Sequence, residues 1–160
     1  MHYLELLKAL PREWVVLILS SLPIIEVRGA IPAGLYLGIA PFKLYFLALL
    51  GGVLPVFPIM FFLNFFTEKL RKIDFFDNFF EKLFEHTRKK GKIVEDLEAL
   101  GLLIIIAIPL PGTGVWTGCL LAYLFGIKYL KTFFVSVAGN AIASAIVILV
   151  SMGVLKIFLP

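Results

Sequence analysis

The chain has 160 residues, 61% of them hydrophobic, with 16 Phe and a mean hydropathy of +1.00. Too little polar surface remains to cover such a chain in water, which excludes a soluble globular domain and indicates one all-α integral membrane domain over residues 1–160. The formal charge of +4 comes from clustered basic residues, which argues for topology and contact with anionic lipid and against nucleic acid as a partner.

One cysteine, Cys119, and two histidines far apart in sequence, His2 and His86, give no disulfide or metal signature, and no cofactor is expected. At the N-terminus, "LELLKAL" before Pro11 reads as an interfacial helix. Lys8 and Arg12 followed by the apolar residues 14–22 mimic a secretion signal. Glu26 and Arg28, however, stand where a small-residue cleavage site would fall, so the segment is expected to belong to the membrane domain.

Charged residues cut the rest into telling lengths. Glu13 to Lys43 encloses 29 residues interrupted only by Glu26 and Arg28, and Lys43 to Glu68 encloses 24 uncharged ones. After a polar linker, Glu98 to Lys128 encloses another 29 and Lys131 to Lys156 another 24. A 24-residue apolar segment makes a comfortable transmembrane helix, since about 20 residues suffice. A straight helix of 29 residues would run to about 43 Å against a hydrocarbon core of about 30 Å, yet it is too short for two full crossings and a turn.

Each long segment is broken near its middle, by "EVRGAIP" and by "PLPGTG", leaving limbs of re-entrant length. Backbone freed at such breaks must be buried in protein or line a wet cavity. The expected fold is therefore an inverted repeat of a re-entrant helical hairpin plus a transmembrane helix: residues 13–63, a linker at 64–98, and residues 99–155. An offset of 88 aligns Leu22 and Pro23 with Leu110 and Pro111, Val27 with Val115, Gly38 with Gly126, Lys43 with Lys131, Phe46 with Phe134 and Gly51 with Gly139. A hairpin returns to its own side and the next helix crosses once, so the second unit is expected to be inverted relative to the first.

In the linker, Phe66, Leu70, Ile73, Phe76, Phe80 and Phe84 recur at helical spacing, as expected of an amphipathic helix lying in the interface or on the protein's own membrane surface. "RKKGK" at 88–92 marks a loop before a short helix carrying Ile93, Val94, Leu97 and Leu100, and the Lys/Arg excess places the linker in the cytoplasm.

The candidate site begins with Glu26 and Arg28. A charge at membrane depth costs about 2.5–3.5 kcal/mol or more unless paired or hydrated, so a substrate or proton-coupling role stands beside a purely structural one. On a continuous helix residues i and i+2 face apart; unwinding would let both turn to one cavity. Arg28 can bind phosphate or carboxylate through its planar fork, or bond free carbonyls at the hairpin tip. Gly29 lies beside it, and Pro32 is expected to open the second limb of the hairpin. In the second break Pro111, Gly112, Thr113 and Gly114 precede a limb carrying Trp116 and Thr117, where free backbone N–H groups would make an anion site. The other reading there is a tight turn buried by packing. Ser136, Asn140 and Ser144 share a face of the last helix, as polar glue between helices or with Asn140 turned to the cavity. Gly51, Gly52, Pro55 and Pro58 are expected to kink the helix before the linker. No nucleophile–base set or paired carboxylates are present, so catalysis is not expected.

"PIIEVRGAIPAG" followed by "IPLPGTGVWTG" resembles the small multidrug export proteins of prokaryotes, which look distantly related to the DedA-like membrane proteins of the VTT or SNARE-associated superfamily. The resemblance implies two opposed re-entrant hairpins in the prokaryotic cytoplasmic membrane. It further implies movement of lipids or lipid carriers, often with proton dependence, and Glu26 would match the acidic residue of the first hairpin. DedA proteins typically carry Arg in the second hairpin, whereas here Arg28 lies in the first and "PLPGTGVWTG" has no ionisable residue. The expected function is transport of an amphipathic substrate, either a lipid or polyprenyl phosphate or a drug-like amphiphile. Membrane lipids and a second copy of the chain are candidate partners. The alternative is a structural or assembly protein whose buried charges only hold the turn.

Overall fold

The computed structural model describes residues 11–70, 92–110 and 112–158, and among these every regular element is a helix. The "LELLKAL" stretch, Pro111 and most of the linker, residues 71–91, lie outside the described residues.

Helix α1, Arg12–Ser21, follows Pro11 and ends where Pro23 forces Leu22 into extended backbone, φ −79° and ψ 139°. After a turn at residues 22–25, α2, Glu26–Tyr36, runs back and packs on α1. Gly38, at φ 76°, takes the left-handed conformation that ends α2. The Ile39 N–H bonds the Gly34 carbonyl and the Gly38 N–H the Leu35 carbonyl, both at 3.0 Å, which forms a Schellman cap. Arg12 Nη1 donates to the Leu37 carbonyl at 2.9 Å, tying the start of α1 to the end of α2. Pro41 then opens α3, Pro41–Val53, in the first-turn position where its missing N–H costs nothing. Helix α4, Val56–Leu70, continues beyond a break at Leu54 and Pro55.

The second half follows the same order. Helix α5, Lys92–Ala107, leads through residues 108–114 into α6, Val115–Leu124, and α7, Tyr129–Phe158, is one unbroken helix. Helix α6 ends as α2 does, with Gly126 at φ 68°, Ile127 bonded to Ala122 at 2.8 Å and Gly126 bonded to Tyr123 at 3.0 Å. Two findings differ from the sequence expectation. The short helix carrying Ile93, Val94, Leu97 and Leu100 runs without a break into the first limb of the second hairpin. On the other side of the linker, α4 continues to Leu70.

The halves interlock. Val16, Ile31, Leu44 and Ala48 of the first are closed over by Ala143, Val147 and Ile148 of α7. Leu102, Ile106, Cys119 and Ala122 of the second are closed over by Val53, Val56 and Met60 of α3 and α4. In a bilayer, van der Waals fit rather than water exclusion holds such helices together, so small residues decide how close they come. A β-carbon on Gly51 would lie 2.6 Å from the Leu17 carbonyl oxygen, and one on Gly139 would lie 2.7 Å from Ile106 Cβ and 3.2 Å from the Leu103 carbonyl oxygen. The outer faces carry Phe42, Leu50, Phe61, Phe62, Phe134 and Leu149, all exposed. This apolar exterior suits lipid and not water. Among the described residues two stretches are long and apolar enough to cross a membrane: Pro41–Phe65, which runs through α3 and α4, and Tyr129–Val154.

Candidate functional site

Glu26 stands at the tip of the first hairpin and is 6% exposed. It has φ 48°, and no other non-glycine among the described residues has positive φ. A left-handed residue costs an L-amino acid about 1–2 kcal/mol, so the surroundings must hold it there. The conformation explains how residues two apart can pair: it swings the Glu26 carboxylate off the α2 helix track, where Arg28 reaches it in an ion pair.

Arg28 also spans to the other tip. Its Nη1 donates to the Thr113 carbonyl at 2.7 Å and its Nη2 to Thr113 Oγ1 at 2.7 Å, with the Ile108 carbonyl at 3.5 Å from Nη2. The planar guanidinium fork suits several acceptors held by a tight turn.

The second tip is knitted by its own hydroxyls. Thr113 Oγ1 lies 2.8 Å from both the Ile108 and Leu110 carbonyls, and Thr117 Oγ1 donates to the Gly112 carbonyl at 2.9 Å. Gly114, at φ 123°, precedes α6 and its carbonyl accepts the first helical bond, from Gly118 at 2.8 Å. The first N–H groups of α6 have no acceptor within their own helix. The Glu26 carboxylate lies against Gly114 at this end of α6, on the side of the Val115 and Trp116 N–H groups. A carboxylate from the first hairpin therefore faces the start of the second limb. Gly114 makes this approach feasible, because a β-carbon there would collide with the Glu26 carboxylate oxygens.

Of the residues singled out in the sequence, the structure gathers Glu26, Arg28, Thr113, Gly114 and Trp116 into one cluster, with Thr117 and the exposed Gly112 in the adjoining turn. Gly29 is half-buried against Ile25. Pro32 requires a correction. It does not open the second limb; it is exposed and inside α2, which starts six residues earlier at Glu26. The turn at residues 22–25 already supplies the acceptors that a helix start needs, with Glu26 N–H bonded to the Leu22 carbonyl and Gly29 N–H to the Ile25 carbonyl, both at 3.0 Å. Having no N–H, Pro32 leaves the Arg28 carbonyl without its helical donor. Asn140 sits apart from the cluster. It is buried where α7 meets α3, with Nδ2 donating to the Leu49 carbonyl at 3.2 Å and with Gly52 against its amide.

Ser21 was not singled out. Trp116 Nε1 donates to the Ser21 carbonyl at 3.1 Å, joining α6 to the end of α1. Beside this contact lies an apolar cavity of 660 Å³ between α4 and α6. The repeat offset held an unused signal, since 88 added to Glu26 gives Gly114 and 88 added to Gly52 gives Asn140. Both pairs are in contact. Among the described residues no group of three His, Cys, Asp or Glu is placed to hold a metal ion.

Among the described residues, an all-helical architecture with two long apolar stretches, a lipid-suited exterior and a charge pair held between two helix turns fits a membrane protein. Residues 26–146 match the family described as "Putative small multi-drug export protein", and the chain belongs to that family of export-type transporters. No curated protein and no solved structure matches it.

Proposed function

We propose that this chain is a small inverted-repeat transporter in which two re-entrant hairpins enter the bilayer from opposite faces and meet near its midplane. The observation that carries the reading is the bonding of Arg28 to Thr113 across the two tips. The lengths support it. Helices α1, α2 and α6 have 10, 11 and 10 residues. At about 1.5 Å per residue each reaches about half of a 30 Å core.

The substrate is amphipathic, a lipid or polyprenyl phosphate or a drug-like amphiphile, with its headgroup at Glu26 and Arg28 and with Glu26 able to carry a coupled proton. The DedA-like link is part of this proposal, as are the prokaryotic cytoplasmic membrane, a cytoplasmic linker at 64–98, and membrane lipids and a second copy of the chain as partners.

The test is flux in proteoliposomes of a labelled polyprenyl phosphate and, separately, of a fluorescent amphiphilic drug. Glu26→Gln and Arg28→Ala should each cut flux at least tenfold while the protein still reconstitutes. Flux of both substrates unchanged by both substitutions would sink the proposed site.

A second reading is a structural membrane protein. It is favoured by one observation: Glu26 and Arg28 find their partners within the protein. On that reading the same substitutions lower the melting temperature and wild-type protein moves neither substrate.

A further inference from the structure

Pro55 and Pro58 interrupt the long apolar span Pro41–Phe65 at residues 54 and 55. Proline removes a helical hydrogen bond and crowds the preceding turn, so the helix opens there. Pro58 in particular has no N–H for the Leu54 carbonyl. The 660 Å³ cavity lies against this break, walled by Leu54, Pro58 and Phe62 on one side and by Trp116, Thr117 and Leu120 on the other. Leu54, Phe62 and Leu120 are exposed, so the cavity opens on the apolar outer surface. The volume falls in the range of about 300–1,000 Å³ usual for small-molecule sites.

The inner end of the cavity is built. The Trp116 indole is fixed by its bond to the Ser21 carbonyl, and both residues line the cavity. Trp116 also stands in the first turn of α6, against whose start the Glu26 carboxylate lies. One residue therefore belongs both to the apolar wall and to the charged cluster. The break is also one-sided. At the offset of 88, Ala143 and Ile146 stand where Pro55 and Pro58 do, and α7 runs unbroken.

We infer that this groove holds the hydrocarbon chain of the transported amphiphile, entering sideways from the bilayer and placing its charged headgroup beside Trp116 at the Glu26–Arg28 cluster; the inference rests on the transporter reading above.

Trp116 reports on its own groove. The chain has two tryptophans, and Trp14→Phe leaves Trp116 as the emitter. The variant is reconstituted in phosphatidylcholine vesicles and titrated with 12-bromododecyl phosphate or with 12-bromododecyltrimethylammonium. The groove requires saturable quenching by at least one of these probes, relieved by the unbrominated chain with the same headgroup. Thr117→Phe, which fills the inner end, should raise the half-saturating mole fraction at least fivefold, while Leu149→Phe on the exposed face of α7 leaves it unchanged. Quenching that only rises linearly with mole fraction and is not relieved by competitor, for both headgroups, overturns the inference. This needs no variant in the groove to fold. The two readings fail separately: saturable quenching without flux removes the transporter and leaves the groove, whereas Glu26- and Arg28-dependent flux without saturable quenching removes the groove and leaves the transporter.

Discussion

Glu26 and Gly114 stand 88 residues apart, at equivalent positions of the two halves, and they touch: a β-carbon on Gly114 would fall on the Glu26 carboxylate. Both have positive φ, 48° and 123°. The two turns differ in backbone, since Gly114, with ψ −165°, lies in a region essentially confined to glycine. One carries an acid and the other gives up its side chain to admit that acid to the start of α6. Two carboxylates at this point would repel each other, and two glycines would leave Arg28 without its ion-pair partner.

Gly114→Ala should consequently be among the more damaging single-methyl additions in the chain. It combines a clash with a buried carboxylate and a backbone conformation that alone costs about 1–3 kcal/mol for a non-glycine residue. Gly112 also has positive φ, 80°, but a β-carbon there meets nothing within 4 Å. Gly112→Ala should therefore lose only the strain. Thermal melts of both variants in detergent check the order; equal losses would mean that the Glu26 contact contributes nothing.

The Arg28 bonds make a second prediction. Arg28→Ala leaves the Glu26 carboxylate buried without its cation, which is expected to cost about 3–5 kcal/mol. In Glu26→Gln/Arg28→Ala the charge is gone from both sides, so the double variant should be less destabilised than the sum of the single ones by about 0.5–3 kcal/mol. Arg28→Lys keeps the charge but loses the fork that reaches Thr113 twice, and should fall between wild type and Arg28→Ala. A double-mutant cycle on unfolding free energies measures this, and strict additivity would count against a direct pair.

Much of this architecture was readable in the sequence because it rests on lengths and on Gly and Pro. Segments of 29 and 24 residues give the pairs of short helices and the long apolar stretches, and "PLPGTG" marks the second break; "EVRGAIP" lies inside α2, and the first break falls just before it, at residues 22–25. What could not be read is tertiary. Nothing local to Glu26 says that its carboxylate lies against Gly114 in the other half, and nothing local to Thr113 marks it as an Arg acceptor. Pro32 misled because proline favours the first helical turn, whereas here residues 22–25 start the helix earlier and Pro32 is carried in its exposed interior. The sequence offered two roles for Asn140; its bond to Leu49 and its contact with Gly52 are contacts of helix packing.

That packing is testable by rescue. A β-carbon on Gly52 would lie 2.5 Å from Asn140 Nδ2, so Gly52→Ala should push α3 off α7 and lower the melting temperature. Asn140→Ala alone removes one interhelical hydrogen bond, a loss of about 0.6–1.7 kcal/mol in membrane proteins. Gly52→Ala/Asn140→Ala should melt higher than Gly52→Ala, because the smaller side chain makes room for the methyl. A double variant that melts below both single ones would show that the two residues do not share this space.

Outside the spanning segments, Glu13 of α1 accepts a hydrogen bond from Lys43 Nζ of α3 at 2.6 Å. That hydrogen bond, with the charge of Lys43 behind it, holds the Glu13 carboxyl below the ordinary value of 4.5. A carboxyl whose pKa is lower when folded contributes stability above its unfolded pKa and loses that contribution as pH falls through the folded value. The pair should therefore support the α1–α3 contact at neutral pH and release it only below about pH 4.5, near the unfolded value. Both side chains are solvent-accessible, and an exposed pair is screened by salt. In melts between pH 7 and pH 3, Glu13→Gln should lie slightly below wild type at pH 7 and converge with it at pH 3, and the gap at pH 7 should narrow in 0.5 M salt. A gap that persists unchanged at pH 3 would assign the effect to packing rather than to charge.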